Sequence, residues 1–401
     1  MRISSNQINT AGLQEILRKQ SEVRETQLQI STQRRFLTPA DDPVAATSAL
    51  NIETEISLTE QFNRNGIFAE NNNELEESIL TGVTENLFRV RDLMISLGNG
   101  IYGQEELQGL KAEVVERLDA IAGLANSQSS NGEYVFSGFQ SDTKPYVKDA
   151  SGNYIYQGDN GQRQLKVSSG TSVAISDSGQ KVFGSSFTGN KTFSTSANAA
   201  NTGSGSITVG SYQGASQFLA EPYQINFTAA NTYEVVGVNS GTTIVPATAF
   251  SPGDNISFLG VSVEVNGTPA AGDSFNVDPS QRQDIFTTLQ NVITMVDNFT
   301  GTPASRAQFE TELDSQLANF DNAFDTIDLV RADVGSRLNA IETATFSNES
   351  LVLNFKTTLS KIQDLDMVEA ASRLSRQTTT LEAAQASFVR VQNLSIFNFL
   401  R

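Results

Sequence analysis

Residues 37–46 read LTPADDPVAA, and the order of acid, proline and small apolar residues in them sets the first boundary of the chain. Asp42 followed by Pro43 is a helix start. The carboxylate can accept an orphan N–H of the first turn, and proline at the first helical position lacks only an N–H that would have had no partner. A carboxylate pair at Asp41 and Asp42 is the sharper alternative, a metal site, but adjacent acids before proline are far more often caps and no further ligands flank them. The stretch therefore divides an N-terminal segment, 1–42, from a helical segment beginning at 43.

The two ends of the chain behave alike. Leu13, Ile16, Gln20, Val23, Gln27 and Ile30 follow a 3-4-3-4-3 spacing, the seam of a coiled coil weakened by two glutamines. In the last stretch, which closes as RLSRQTTTLEAAQASFVRVQNLSIFNFLR over 373–401, Met367, Ala370, Leu374, Gln377, Leu381, Ala384, Phe388 and Val391 repeat it. Burying one Leu-sized side chain is worth only about 1.5–3 kcal/mol and isolated helices are marginal in water, so neither end is expected to stand alone. Both need partners, which are either each other within one molecule or neighbouring chains. Leu13, Ile16, Val23, Ile30, Leu374, Leu381, Phe388 and Val391 are the candidate interface positions, and Asp42 with Pro43 the candidate cap.

Stronger helices lie inside these ends. Val83, Leu87, Val90, Met94 and Leu97 keep a clean seam, and Leu107, Leu110, Val114, Leu118 and Ile121 make another after GNGIYGQ at 98–104. Ile285, Leu289, Val292, Val296 and Phe299 mirror them on the far side. Phe309, Leu313, Leu317, Phe320, Phe324 and Ile327 continue the pattern towards Val334, Leu338 and Ile341. These stripes predict a core of long helices packed side by side.

Between about 132 and 280 the period changes from helical to alternating. EYVFSG, NYIYQGDNGQRQLKV, SITVG, YQINF, TYEVVGV and ISFLGVSVEVNG read as short strands separated by Gly, Asn, Asp and Ser turns. Asn160-Gly161 is a hairpin-turn signal. The glycines lack the setting of a phosphate loop. The expected organisation is α+β and nested: 1–42 terminal helix, 43–131 helical block, 132–280 antiparallel β insertion of one domain or two, 281–364 helical block, 365–401 terminal helix. Both ends then meet at one pole of a rod, and the β region projects from the other.

Composition removes most chemistry. The 401 residues contain no cysteine and no histidine, and no tryptophan. Thiol nucleophiles, imidazole bases, disulfides and the usual zinc ligands are therefore missing. No cofactor or metal is expected. A net charge of −18 disfavours nucleic acid and anionic membranes as partners. No apolar run is long enough to insert in a bilayer and no secretory leader is read at the start, so the expectation is either a cytosolic chain or export by a route needing no such leader.

The start MRISSNQ, LTPADDPVAATSAL at 37–50, NGEYVFSGFQSDTKPY at 131–146, VGSRLNAIE at 334–342 and the terminal LEAAQASFVRVQNLSIFNFLR together resemble the flagellin-related hook-associated protein 3 family of bacterial flagella. The resemblance covers about 1–175 and 281–401. It is loose over 176–280, where GVSVEVNGTPAAGDSFNV at 260–277 resembles a motif of several hook and filament proteins. It implies a non-enzymatic structural subunit at the hook-filament junction, exported unfolded by the flagellar type III apparatus, whose terminal helices form inner coiled-coil layers on assembly. The implied partners are hook-associated protein 1, flagellin, an export chaperone holding the C-terminal helix, and further copies in a ring. Flagellin itself is the nearest alternative, against which TPADDP and the MRIS start stand. A secreted enzyme on the same scaffold is the other, and no Ser-Lys or carboxylate pair in a persuasive context supports it.

Overall fold

A computed structural model describes residues 5–99, 102–214 and 221–399. Seven helices, α1 (Ser5–Thr32), α2 (Pro43–Leu97), α3 (Gln104–Ala125), α4 (Gly179–Phe183), α5 (Ile285–Asp297), α6 (Pro303–Gln363) and α7 (Met367–Phe399), bracket the strands. The chain divides into two compact units. The first comprises 1–64, 168–170 and 344–401, and the second 65–167 with 171–343, so α2 and α6 contribute to both.

In the second unit the expected seams become the core. Leu80, Val83, Leu87, Val90 and Met94 of α2 are sealed from solvent together with Val114 and Ile121 of α3, Ile285, Leu289 and Val292 of α5, and Phe320 and Val334 of α6. The spacing that keeps these residues on one stripe of each helix buries them against one another. Asp284 caps α5, accepting the Thr287 N–H at 2.8 Å. The chain between α3 and α5 starts by packing on this same core, through Phe136, Tyr146 and Phe183, with the Tyr146 and Phe286 rings 4.5 Å apart.

The strands of this first stretch are short hairpins. β1 (Tyr146–Lys148) pairs with β2 (Tyr154–Tyr156), and β3 (Gln164–Lys166) with β4 (Ser172–Ala174). EYVFSG forms no strand beyond one isolated bridge between Gln128 and Tyr134. Asn160-Gly161 does not join two paired strands, because β2 and β3 pair elsewhere. The physical reason is Asp159, whose Oδ1 takes the N–H of Gly161 at 2.6 Å and that of Phe139 at 3.0 Å, turning the loop back on the 137–140 segment.

Beyond α4 the strands are β5 (Ser186–Phe187), β6 (Phe193–Ala197), β7 (Ser206–Ile207), β8 (Ser211–Tyr212), β9 (Tyr223–Ala229), β10 (Thr232–Gly237), β11 (Thr243–Ala249), β12 (Asn255–Phe258), β13 (Val261–Asn266), β14 (Ser274–Pro279) and β15 (Arg282–Gln283). An antiparallel sheet runs in the order β11-β10-β9-β14-β6, and a smaller one in the order β12-β13-β7 with β8 also on β13. Alternation puts Tyr223, Ile225 and Phe227 of β9, Val263 and Val265 of β13, and Phe275 and Val277 of β14 into a core separate from the helical one. β5 pairs with β15, so the chain enters and leaves this module side by side.

Helix α6 holds the module by a polar stripe. Thr311 Oγ1 accepts the Ile207 N–H at 3.1 Å and Asp314 the Val209 N–H at 2.9 Å. Asn319 Oδ1 accepts the Gly189 N–H at 2.6 Å, and Asn322 Nδ2 donates to the carbonyls of Phe187 and Gly189 at 2.8 and 2.7 Å. Backbone groups that no strand pairs are satisfied by helix side chains. Replacing Asn322 by Leu leaves two carbonyls without this donor, and the midpoint of urea unfolding should fall by an amount equivalent to about 1–3 kcal/mol at unchanged slope.

Candidate assembly interface

Both connections in the first unit start the next helix with an aspartate. Asp42 Oδ1 accepts the N–H of Ala45 at 3.0 Å, with Pro43 in the first helical position. Asp366 Oδ1 accepts those of Val368 and Glu369 at 2.9 and 3.0 Å. Asp41 is spent locally, accepting from Thr38 and Leu37 at 2.8 and 2.9 Å, and those bonds hold its carboxyl below the usual range. Asp366 stands three residues before Glu369, the sequence spacing of a capping box, so this helix start is legible in the sequence.

The two connections also bind each other. Arg35 N–H reaches the Gln363 carbonyl at 2.7 Å and Leu365 N–H the Gln33 carbonyl at 3.0 Å, an antiparallel bridge centred on Arg34 and Asp364. Gln33 turns the chain out of α1 at φ 58°, the left-handed geometry common just after a helix.

From this bridge α1 and α7 run back antiparallel. Arg373 Nη2 donates to Gln29 Oε1 at 3.0 Å, and Gly12 lies under the Phe388 ring, where a Cβ would stand 2.7 Å from Cδ2. On α7 the burial follows Ala370, Leu374, Gln377, Leu381, Ala384 and Phe388. On α1 it follows Gly12, Ile16, Lys19, Val23, Thr26 and Ile30, so Ile16, Val23 and Ile30 lie in the seam while Gln20 and Gln27 are exposed. The glutamines expected in the α1 seam thus give way to Lys19 and Thr26, one position earlier. The cause is Gly12, whose missing side chain admits a phenyl ring where the apolar count favours Leu13.

This pair is imperfect as a closed contact. Gln377 Oε1 and Arg373 Nε are buried without a hydrogen-bond partner, a cost of about 1–3 kcal/mol for each such group. Leu13, Leu17 and Leu28 lie off the seam, 50%, 56% and 48% exposed, and Val391 is exposed as well. The ends of α6 and α2 in this unit add Phe346, Leu353, Val44 and Leu50, each more than half exposed. Among the described residues no helix is long and apolar enough to cross a membrane. The exposed apolar side chains of α1, α2, α6 and α7 give the first unit an apolar surface that its own helices leave uncovered.

Residues 3–141 match the bacterial flagellin N-terminal helical region and 317–400 the bacterial flagellin C-terminal helical region. Residues 196–279 match the D2-like domain of flagellar hook-associated protein 1, so the β module has a counterpart in another flagellar protein. These matches define a flagellin-related structural component of the bacterial flagellum. The flagellar hook-associated protein 3 of Escherichia coli K12 is 22% identical over 397 residues, covering 99% of each chain. Two solved structures from Legionella pneumophila are more similar in sequence. Its flagellar hook associated protein-3 is 33% identical, with a TM-score of 0.75 over 78% of this chain and 98% of that one. Its flagellar junction protein FlgL is 32% identical, with a TM-score of 0.71 over 79% and 100%. The chain belongs to the flagellar hook-associated protein 3 (FlgL) family.

Two outcomes follow from this geometry. Gly12→Val should push Phe388 out of the seam, and limited proteolysis should then cut α1 and α7 faster while the second unit keeps its melting temperature. Asp42→Ala should cost roughly 0.5–2 kcal/mol in equilibrium unfolding, because one N–H at the start of α2 loses its acceptor.

Proposed function

We propose that the protein is the junction subunit of the flagellum. Copies form a ring that joins hook-associated protein 1 on the hook side to flagellin on the filament side, and the ring nucleates filament growth through α1 and α7. In this reading the chain travels through the flagellar export apparatus with a chaperone on α7, and works outside the cell. Leu13 and Val391 meet neighbouring chains directly, whereas Ile16, Val23, Ile30, Leu374, Leu381 and Phe388 hold the terminal pair in the form those neighbours bind.

The observation that carries the proposal is the apolar flank of α1. Leu13, Leu17 and Leu28 remain outside a seam that α7 already fills, so no rearrangement within the terminal pair covers them without uncovering Ile16, Val23 and Ile30. These side chains are already about half covered, so covering the rest of all three supplies roughly 2–5 kcal/mol per contact, about half of the full-burial value for each, which accumulates once many subunits are in register. The name of the Legionella relative, a flagellar junction protein, agrees with it.

Changing Leu13 and Leu17 together to Ser should leave the melting temperature of the purified chain within about 2 °C, since both are already exposed. The same variant, supplied to a strain lacking the gene, should give hooks without filaments in electron micrographs and flagellin in the medium. Normal filaments would show that this flank is not the assembly surface. A large fall in melting temperature would show that it belongs to the subunit's own core.

A further inference from the structure

The second unit contains a buried charged cluster that an assembly role does not use. Glu76 of α2 and Asp177, just before α4, have side chains with no exposed surface, and Arg337 of α6 is 13% exposed. The Asp177 carboxylate is fully engaged: it accepts from Gln162 Nε2 and Arg337 Nη2 at 2.6 Å each, and from Lys181 Nζ at 3.1 Å. Glu76 is not. Its Oε1 takes only the Asp177 N–H, at 3.3 Å, and its Oε2 stands 3.9 Å from Arg337 Nη1, both atoms lacking a hydrogen-bond partner. One guanidinium therefore faces two carboxylates and bonds only one.

The same residues hold a strap of chain. Asn73 Nδ2, one turn before Glu76, donates to the Ala174 carbonyl at 3.0 Å, and the Gly179 N–H reaches the Phe136 carbonyl at 2.7 Å. Residues 174–179 are thus clamped to α2 by Asn73 and Glu76 and to α6 by Arg337. We propose that the cluster is a proton-dependent latch. Protonated Glu76 leaves Arg337 to Asp177 and keeps the strap clamped, and ionised Glu76 competes for the guanidinium and loosens it.

The electrostatics agree. Burial, and next the negative charge of Asp177, push the Glu76 carboxyl up to about 8, against the opposing pull of Arg337, the Asp177 N–H and Lys181. Of the other charges nearby, Glu77 pairs with Arg331 at 2.7 Å, and Asp333, 3.2 Å from Lys181 Nζ, shares that ammonium with Asp177. A carboxyl raised in the closed form keeps its proton there and loses it when the strap opens into water. Closure is therefore favoured at low pH and is lost as the pH climbs from the ordinary carboxylate range to about 8.

Hydrogen-deuterium exchange of the full chain tests this, read on peptides covering 172–183 after removing the intrinsic pH dependence of exchange. Between about pH 6 and pH 8 strap opening should grow by roughly tenfold per pH unit and level off above. Peptides from β9 and β10 should not follow. In Glu76→Gln, an isostere of the protonated acid, opening should be flat with pH and rarer than in the natural chain at pH 6, where the open form already gains from releasing the proton. A flat natural chain, or the same slope in Glu76→Gln, would overturn the latch. Loss of strap protection in Glu76→Gln at pH 6 would also overturn it, by showing that the fold needs the charge.

Discussion

The structure depends on two helices finding each other across the whole of the inserted chain. Leu80, Leu87 and Met94 on α2 and Phe320 and Val334 on α6 share a core with no solvent exposure, yet the β module and α5 lie between them in sequence. Closing so long a loop costs entropy, but the cost grows only slowly with length. That makes a large insertion tolerable on one condition, that its two ends leave side by side. The β5–β15 pair meets it, and the α6 polar stripe then fixes the module to a helix whose other face is already committed to the core.

What the sequence disclosed follows from this arrangement. Seams such as Val83–Leu97 and Ile285–Phe299 were legible because each helix there buries one stripe completely, so apolar spacing and burial coincide. The β9 and β13 alternation was legible for the same reason. Where a helix buries polar residues, the reading failed. Asn319, Asn322 and Thr311 look like a solvated face, and their role appears only when unpaired backbone is laid against them. Glu76 was invisible in the same way, since one acid among Glu74, Glu76 and Glu77 has nothing in its spacing to mark it as the buried one.

The terminal register shows a different kind of failure. Counting apolar residues placed Leu13 in the α1 seam and left out Gly12, because the count scores what a side chain contributes and not what its absence admits. A ring from α7 fills the space that Gly12 leaves, and the apolar surplus of α1 moves to the flank. A cap is decided within one turn and needs no distant partner, and at Asp42 the Oδ1 accepts the Ala45 N–H where α2 begins.

The two units differ in a way that bears on how a hook-associated protein 3 family member can be both stable and ready to assemble. In the second, the buried set is rich in Phe, Leu, Ile and Tyr, several without exposure at all. In the first, it runs mostly to Ala45, Ala49, Thr26, Thr59, Ala344 and Ala370, with Phe62 as a large ring and Val23 and Ile56 at the edge of burial, while larger apolar residues such as Leu17 and Phe346 stay outside. Small residues let helices approach closely but bring little transfer energy, so the first unit is weakly held by its own contacts. With no cysteine in the chain, no disulfide can make up the difference. The larger apolar side chains of the first unit lie outside its own seams, so it keeps apolar surface that its own helices do not cover. A terminal pair with a well-filled seam and a polar flank would be more stable alone and would have nothing to offer the next chain.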